Sequence, residues 1–477
     1  MPAELLPVGY ALLSAALAAL AFRLRWRGLA ETAAVAALAS FAALLTPPLA
    51  GAALRGSGDP ALIAGVAAAA ALVQGVAWRI LRRGAAAPGV AEATSTLAVL
   101  SGLLGAFLTL RAWTMTHGAV VSPFAEASLR TLLLLSAGLA LATFGSARPL
   151  GRWRGPLLLG IGLAHGLLLQ GLVLHPWWGE RAAAVSGPPV IDELLLGLLA
   201  PGLILGWAAR RLGSGRRALA RLALGAGLGF VTLWIVTELR RLFHGPVLAG
   251  GFAYAEVAAY GAAALGLAAG LRAGRAWLVG AVGGQTAPAR LLDLSSWVAL
   301  PVGGVLLCVF ASPWWGPLQG DLQAPVVLAL GYGLGVAFAG LIAWQARGAT
   351  TLASVAWAAA AVQLYVAVTL AIRYGFHAGA MRAPLREDSL ETWTFSAVWA
   401  LYGLAVLAMG SRMGERALRW VGLAVLLLTT AKVFLFDMAH LAGAIRAASF
   451  LALGAILLTG ALTTRRLAKQ GPEGMHP

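Results

Sequence analysis

Three times along the chain an arginine, a histidine and a glutamate follow one another where one apolar stretch ends and the next begins. The sets are Arg111, His117 and Glu126; Arg240, His244 and Glu256; and Arg373, His377 and Glu391. In the second and third sets the histidine lies four residues after the arginine, and in the first six. Arginine presents a planar fork that suits phosphate or carboxylate, and histidine exchanges a proton near neutral pH. Gathered at one depth, these side chains would bind an anionic or lipid-linked group at a membrane face. They also have a plain structural use. Arginine and histidine at helix ends snorkel to water, and a glutamate that opens a helix favours its dipole.

Lys432 is the other chemical signal. It lies inside the apolar run from Val425 to Asp437, where a cation near mid-bilayer costs about 2.5–3.5 kcal/mol on insertion scales. Asp437 and Arg446 are the charges nearest in sequence, and the three read either as the floor of a binding pocket or as a salt-bridged trio joining two helices. Asp293 is a candidate counterpart of Asp437. His165 and Gln170 read as interhelical contacts. Trp177-Trp178 and Trp314-Trp315 suit an interfacial aromatic belt, and their ring faces also suit sugar rings or cations.

Several chemistries are excluded. The chain has no phosphate-loop G-x-x-x-x-G-K, no H-E-x-x-H, no C-x-x-C and no G-x-S-x-G. Its single cysteine, Cys308, sits in an apolar run and offers neither a disulfide nor a metal site. No cofactor is expected, and no catalytic residue is assigned.

The elements that must hold these residues follow from composition. Of 477 residues 60% are hydrophobic, 35 are basic and 18 acidic, and mean hydropathy is +0.83. A water-soluble fold does not hide that much apolar surface. The reading is all-α: a polytopic transmembrane helix bundle of about 15 spans, with short loops and no room for a soluble catalytic domain. The net charge of +17 then orients loops and does not signal nucleic acid.

The spans read as roughly 5–22, 29–46, 60–80, 94–113, 126–144, 155–174, 191–210, 218–240, 252–271, 276–311, 325–346, 350–373, 390–410, 418–436 and 444–464. The segment 276–311 is long enough for two short helices. Treated as one net crossing, it gives loops that alternate cleanly. One side then holds 23 basic and four acidic residues, the other 12 basic and 14 acidic. The positive-inside rule places the first side in the cytoplasm, with the N-terminus outside and the C-terminus inside.

The sequence also repeats. Pro176-Trp-Trp-Gly179 recurs 137 residues later as Pro313-Trp-Trp-Gly316, and the Arg-His-Glu sets recur at intervals near 130. Tandem units of four spans are expected at 20–147, 150–275 and 296–412, closed by helices in 416–466. Gly162-x-x-x-Gly166, Gly225-x-x-x-Gly229, Gly266-x-x-x-Gly270 and Gly331-x-x-x-Gly335 would let helices approach closely.

Near the C-terminus, Lys432-Val-Phe-Leu-Phe-Asp437 followed by Arg446-Ala-Ala-Ser449-Phe450 resembles the closing helices of the bacterial predicted-membrane-protein family called domain of unknown function 2339. The resemblance implies a bacterial inner-membrane protein and carries no established activity. On the residues alone, the expectation is a carrier- or flippase-like protein whose partners are the bilayer and an anionic or glycan-bearing envelope substrate. The alternatives are an integral-membrane transferase using Glu126, Glu256, Glu391 or Asp59 as base, and a non-catalytic scaffold.

Overall fold

The computed structural model describes residues 2–84, 88–117, 121–144, 149–179, 184–213, 215–282, 286–311, 323–347, 350–377 and 390–437, and isolated positions between 451 and 459. Among the described residues, 14 helices are long and apolar enough to cross a membrane, and there is no strand. They are α1 (Ala3–Leu24), α2 (Arg27–Arg55), α3 (Pro60–Arg83), α4 (Pro88–Thr116), α5 (Pro123–Thr143), α6 (Gly151–Val173) and α7 (Leu195–Leu212). There follow α8 (Arg217–His244), α9 (Tyr254–Ala273), α10 (Arg290–Phe310), α11 (Val327–Gln345), α12 (Thr351–His377), α13 (Leu390–Arg412) and α14 (Arg416–Leu435). They coincide with the first 14 expected spans. The segment 276–311 contributes a short helix, Arg275–Val282, and the one spanning helix α10. The expected span 444–464 lies outside the described residues.

Local chemistry sets the helix ends. At α3, Asp59 Oδ1 accepts the Ala61 N–H at 2.9 Å, Pro60 takes the first position, and Arg82 and Arg83 close the last turn. Each choice satisfies a free backbone group or complements the dipole.

The chain forms two compact units, residues 1–249 and 250–477. In the first, α1–α4 pack as one four-helix group and α5–α8 as another. Lipid offers helices no hydrophobic reason to associate, so small residues and buried hydrogen bonds hold such groups together. Ser14 donates to the Ala33 carbonyl and Ser40 to the Pro7 carbonyl, both at 2.7 Å. Gln74, fully buried on α3, donates to the Ala37 carbonyl on α2 at 3.4 Å and accepts from Ser101 on α4 at 3.3 Å. In the second unit α9–α12 pack together, and α13 and α14 pack on each other and on α12.

The glycine pairs divide. A Cβ on Gly162 or Gly166 would press into Leu134, Leu135 or Phe230, and one on Gly331 or Gly335 into Ala258 or Leu307. Gly266 abuts Phe338, but Gly270 faces open space. Gly225 and Gly229 also have nothing within 4 Å; the close approach is made by Gly227 between them, whose Cβ position lies 2.8 Å from the Gly202 carbonyl. A four-residue spacing marks one helix face without saying which face meets a neighbour.

Several spans widen into π-helical turns. Gly166–Val173 ends α6 and Leu306–Phe310 ends α10. Their closing bonds, Leu174 N–H to Leu169 carbonyl and Ala311 N–H to Leu306 carbonyl, are both 2.7 Å. They stand 137 residues apart, the interval of the Pro-Trp-Trp-Gly motif. Two more such turns, Leu195–Leu199 and Val327–Gly333, begin α7 and α11.

Candidate functional site

The first and third Arg-His-Glu sets are built differently. Arg111, in the last turns of α4, donates to Glu126 Oε2 at 3.0 Å. Arg130, one turn further along α5, pairs with the other oxygen of the same carboxylate. Among the described residues, two guanidiniums therefore share one glutamate and leave one positive charge over. Both arginines keep water access, at 34% and 30% side-chain exposure, while Glu126 keeps 12%. His117 stands apart from this pair, stacked on Trp113 with ring centroids 5.2 Å apart.

The third set is closed. Arg373 and Glu391 are buried and pair at 2.7 Å, and His377 Nε2 meets the other Glu391 oxygen at 2.7 Å. In the second set, Arg240 is 1% exposed. Its Nε donates to the Leu248 carbonyl at 2.7 Å, and its guanidinium lies 4.5 Å from the Trp177 ring centre. His244 ends α8, half-buried. Glu256 opens α9 and folds back on its own helix, accepting from the Ala253 N–H at 3.2 Å and from Tyr260 at 2.7 Å.

Lys432 reaches from α14 to α13, donating to the Thr392 carbonyl at 2.9 Å and to Ser396 Oγ at 2.7 Å. Asp437 closes the turn Val433–Asp437; its side chain and all of Arg446 lie outside the described residues, as do Trp314 and Trp315. Asp293 pairs with Arg272 at 2.7 Å. His165 and Gln170 both meet Thr131 on α5, at 2.8 and 2.7 Å. Thr131 stands five residues after Glu126, and Ser396 five after Glu391, so each ion-paired glutamate is followed at the same interval by a hydroxyl that bonds the next helix.

Sequence reasoning missed four participants. Arg130 was legible as the i+4 partner of Glu126. Asp192, Glu193 and Arg241 were not, because their meeting depends on how the loop before α7 folds. Asp192 pairs with Arg241, which also bonds the Gly187 carbonyl. Glu193 accepts from Ser122 and from the Ser186 N–H.

His175, in that same loop, is fully buried and stacks on Trp178 at 3.7 Å, nearly parallel. Its Nδ1 accepts the Trp177 N–H at 3.3 Å, and its Nε2 lies 3.3 Å from Thr237 Oγ1. Thr237 already donates to the Leu233 carbonyl, so Nε2 carries the hydrogen and the ring is neutral. Burial away from water pushes its pKa down from 6.5 to about 4. The unfolded chain therefore binds this proton first, and stability falls as pH drops through that window. Between pH 7 and pH 5 the expected loss is about 2 kcal/mol. His175→Gln should flatten the dependence of melting temperature on pH over this range; an equally steep profile in the variant would refute the assignment.

Beside the Arg111–Glu126–Arg130 set lies a groove of about 820 Å³ between α3, α4 and α5. Ala61, Ala64 and Ala68 form one wall, Gly102, Gly105 and Ala106 its floor, and Leu129 and Leu133 the other wall, with Trp113 at one end. Leu110 and Leu129 line it, and the next residues in sequence are Arg111 and Arg130. Exposed Ala61, Ala68 and Trp113 leave it open along one side. Lys432 has no part in it. Among the described residues no group of His, Cys, Asp and Glu is arranged to hold a metal ion.

No curated protein and no solved structure matches the chain. Its C-terminal region, residues 283–467, which carries Arg373, Glu391 and Lys432, matches the model of the family described as predicted membrane protein (DUF2339), as the Lys432–Asp437 resemblance implies.

Proposed function

We propose that this multi-pass membrane protein is a carrier- or flippase-like protein that takes up an anionic amphiphile, a phospholipid or lipid-linked glycan, from the leaflet facing away from the cytoplasm. The observation that carries this reading is the apolar groove between α3, α4 and α5, with two arginines, each next in sequence to a lining leucine, sharing one carboxylate beside it. An acyl chain needs only a long apolar slot, and an anionic headgroup needs the spare positive charge. The loop charges support a bacterial inner-membrane setting with the N-terminus outside, which puts the Arg111 end of the groove at the outer leaflet. The recurrence of π-helical turns at the 137-residue interval supports tandem growth of the chain from four-span units.

A transferase would need a boundary carboxylate free to take a proton. Glu126 and Glu391 are instead held by arginines, and Glu256 caps its own helix. A scaffold is the reading that the closed Arg373–Glu391–His377 set favours.

The test uses purified protein with phosphatidylglycerol or phosphatidylcholine in mixed micelles. Phosphatidylglycerol should raise the melting temperature more than phosphatidylcholine. Ala106→Trp, which fills the groove, should remove most of the difference, and Arg130→Gln should reduce it several-fold. Equal stabilisation by both lipids, or a full preference in Ala106→Trp, would count against the reading. Transfer of a fluorescent phosphatidylglycerol between leaflets of proteoliposomes then separates a carrier from a scaffold that merely binds lipid.

A further inference from the structure

Gln363 lies midway along α12 and is 1% exposed, yet neither its amide nitrogen nor its amide oxygen has a hydrogen-bond partner among the described residues. Membrane-embedded polar groups normally find a partner, because hydrocarbon offers none. The surroundings are unusual as well. A Cβ on Gly335 of α11 would fall 2.9 Å from Gln363 Oε1 and 2.6 Å from Leu307 Cδ1, so only a glycine lets the amide and Leu307 pack against α11 here. Leu307 belongs to the π-helical turn that ends α10, and its carbonyl accepts from the fully buried Tyr332 at 2.5 Å. Tyr332 in turn belongs to the π-helical turn that begins α11. Two widened helix turns and an unsatisfied amide thus meet in one bundle core. Gln170 shows the same combination in the other unit: it is fully buried within the π-helical turn of α6, and its Oε1 lacks a partner among the described residues.

We propose that the core of the α9–α12 group binds internal water at this place, bridging the Gln363 amide to the polar groups of the two π-helical turns. The amide asks for one small ligand that both donates and accepts, and water meets both conditions. π-helical turns are recurrent sites of function, and a hydrated one gives α10 and α11 a place to shift without leaving backbone groups unsatisfied.

Hydroxyl-radical footprinting by X-ray pulse tests this, because radicals form at bound water and oxidise the side chains beside it. In the full-length protein Tyr332 should be oxidised despite its burial. In Gln363→Leu its oxidation should fall about tenfold, while Met413, exposed in the turn after α13, should be unchanged. Gln363→Asn, which keeps the amide, should retain the label. An unlabelled Tyr332 in the parent protein overturns the proposal even if Gln363→Leu fails to fold, and equal labelling in a folded Gln363→Leu overturns it too.

Discussion

Arg373→Met should destabilise the protein by about 3–5 kcal/mol. The reason lies in what remains. Glu391 is 4% exposed, and without the guanidinium its described partners shrink to His377. A carboxylate in that position either stays charged at a high desolvation cost or takes up a proton and loses its charged hydrogen bonds. Glu391→Leu alone should cost a similar amount, because it takes from the buried guanidinium the carboxylate 2.7 Å away. The double variant Arg373→Met, Glu391→Leu should recover much of the loss, since an apolar pair of similar volume needs no counter-charge. Thermal unfolding in detergent of both single variants and the double variant gives the coupling directly. Single variants that melt within a degree or two of the parent would show that the pair does not hold α12 to α13.

Gly422→Leu should cost about 3 kcal/mol, the upper end of the range for overpacking. A Cβ on Gly422 would stand 2.7 Å from the Leu407 nitrogen and 2.8 Å from the Gly403 carbonyl. Those are backbone atoms of α13, so nothing flexible can yield and the two helices must part. Parting them also pulls Lys432 from Thr392 and Ser396, which adds the cost of two hydrogen bonds lost by a cation. Gly229→Leu is the control, because a Cβ there meets nothing within 4 Å. The expected result is a markedly lower melting temperature for Gly422→Leu beside a near-parental one for Gly229→Leu. Matching melting temperatures would mean that the α13–α14 contact is looser than its geometry.

Both experiments turn on pairings that the sequence suggested unevenly. Arg111 with Glu126, and Arg373 with Glu391, were legible because each pair flanks a single loop, so chain connectivity alone brings the helix ends together. Lys432 was legible as a costly cation but not as the partner of Thr392 and Ser396. Those residues lie 40 and 36 positions back in the chain, and reaching them depends on the register of α14 against α13. The groove was not legible at all. Its floor is built from Gly102, Gly105 and Ala106, and in a chain with 60 glycines such residues carry no individual signal.

Composition by itself determined that the chain crosses a membrane many times, that its spans are helical, and where most of them begin and end. Hydrocarbon leaves the backbone no partner but itself, so long apolar runs become helices. Only the tertiary structure decided which side of each helix faces its neighbours. In lipid the outward and inward faces of a span are equally apolar, so no polar stripe reveals the buried side. Helix rotation is set by where small residues such as Gly227 and Gly422 meet a neighbouring backbone. That rotation sets Lys432 against Thr392 and Ser396 and leaves Gln363 facing two widened helix turns.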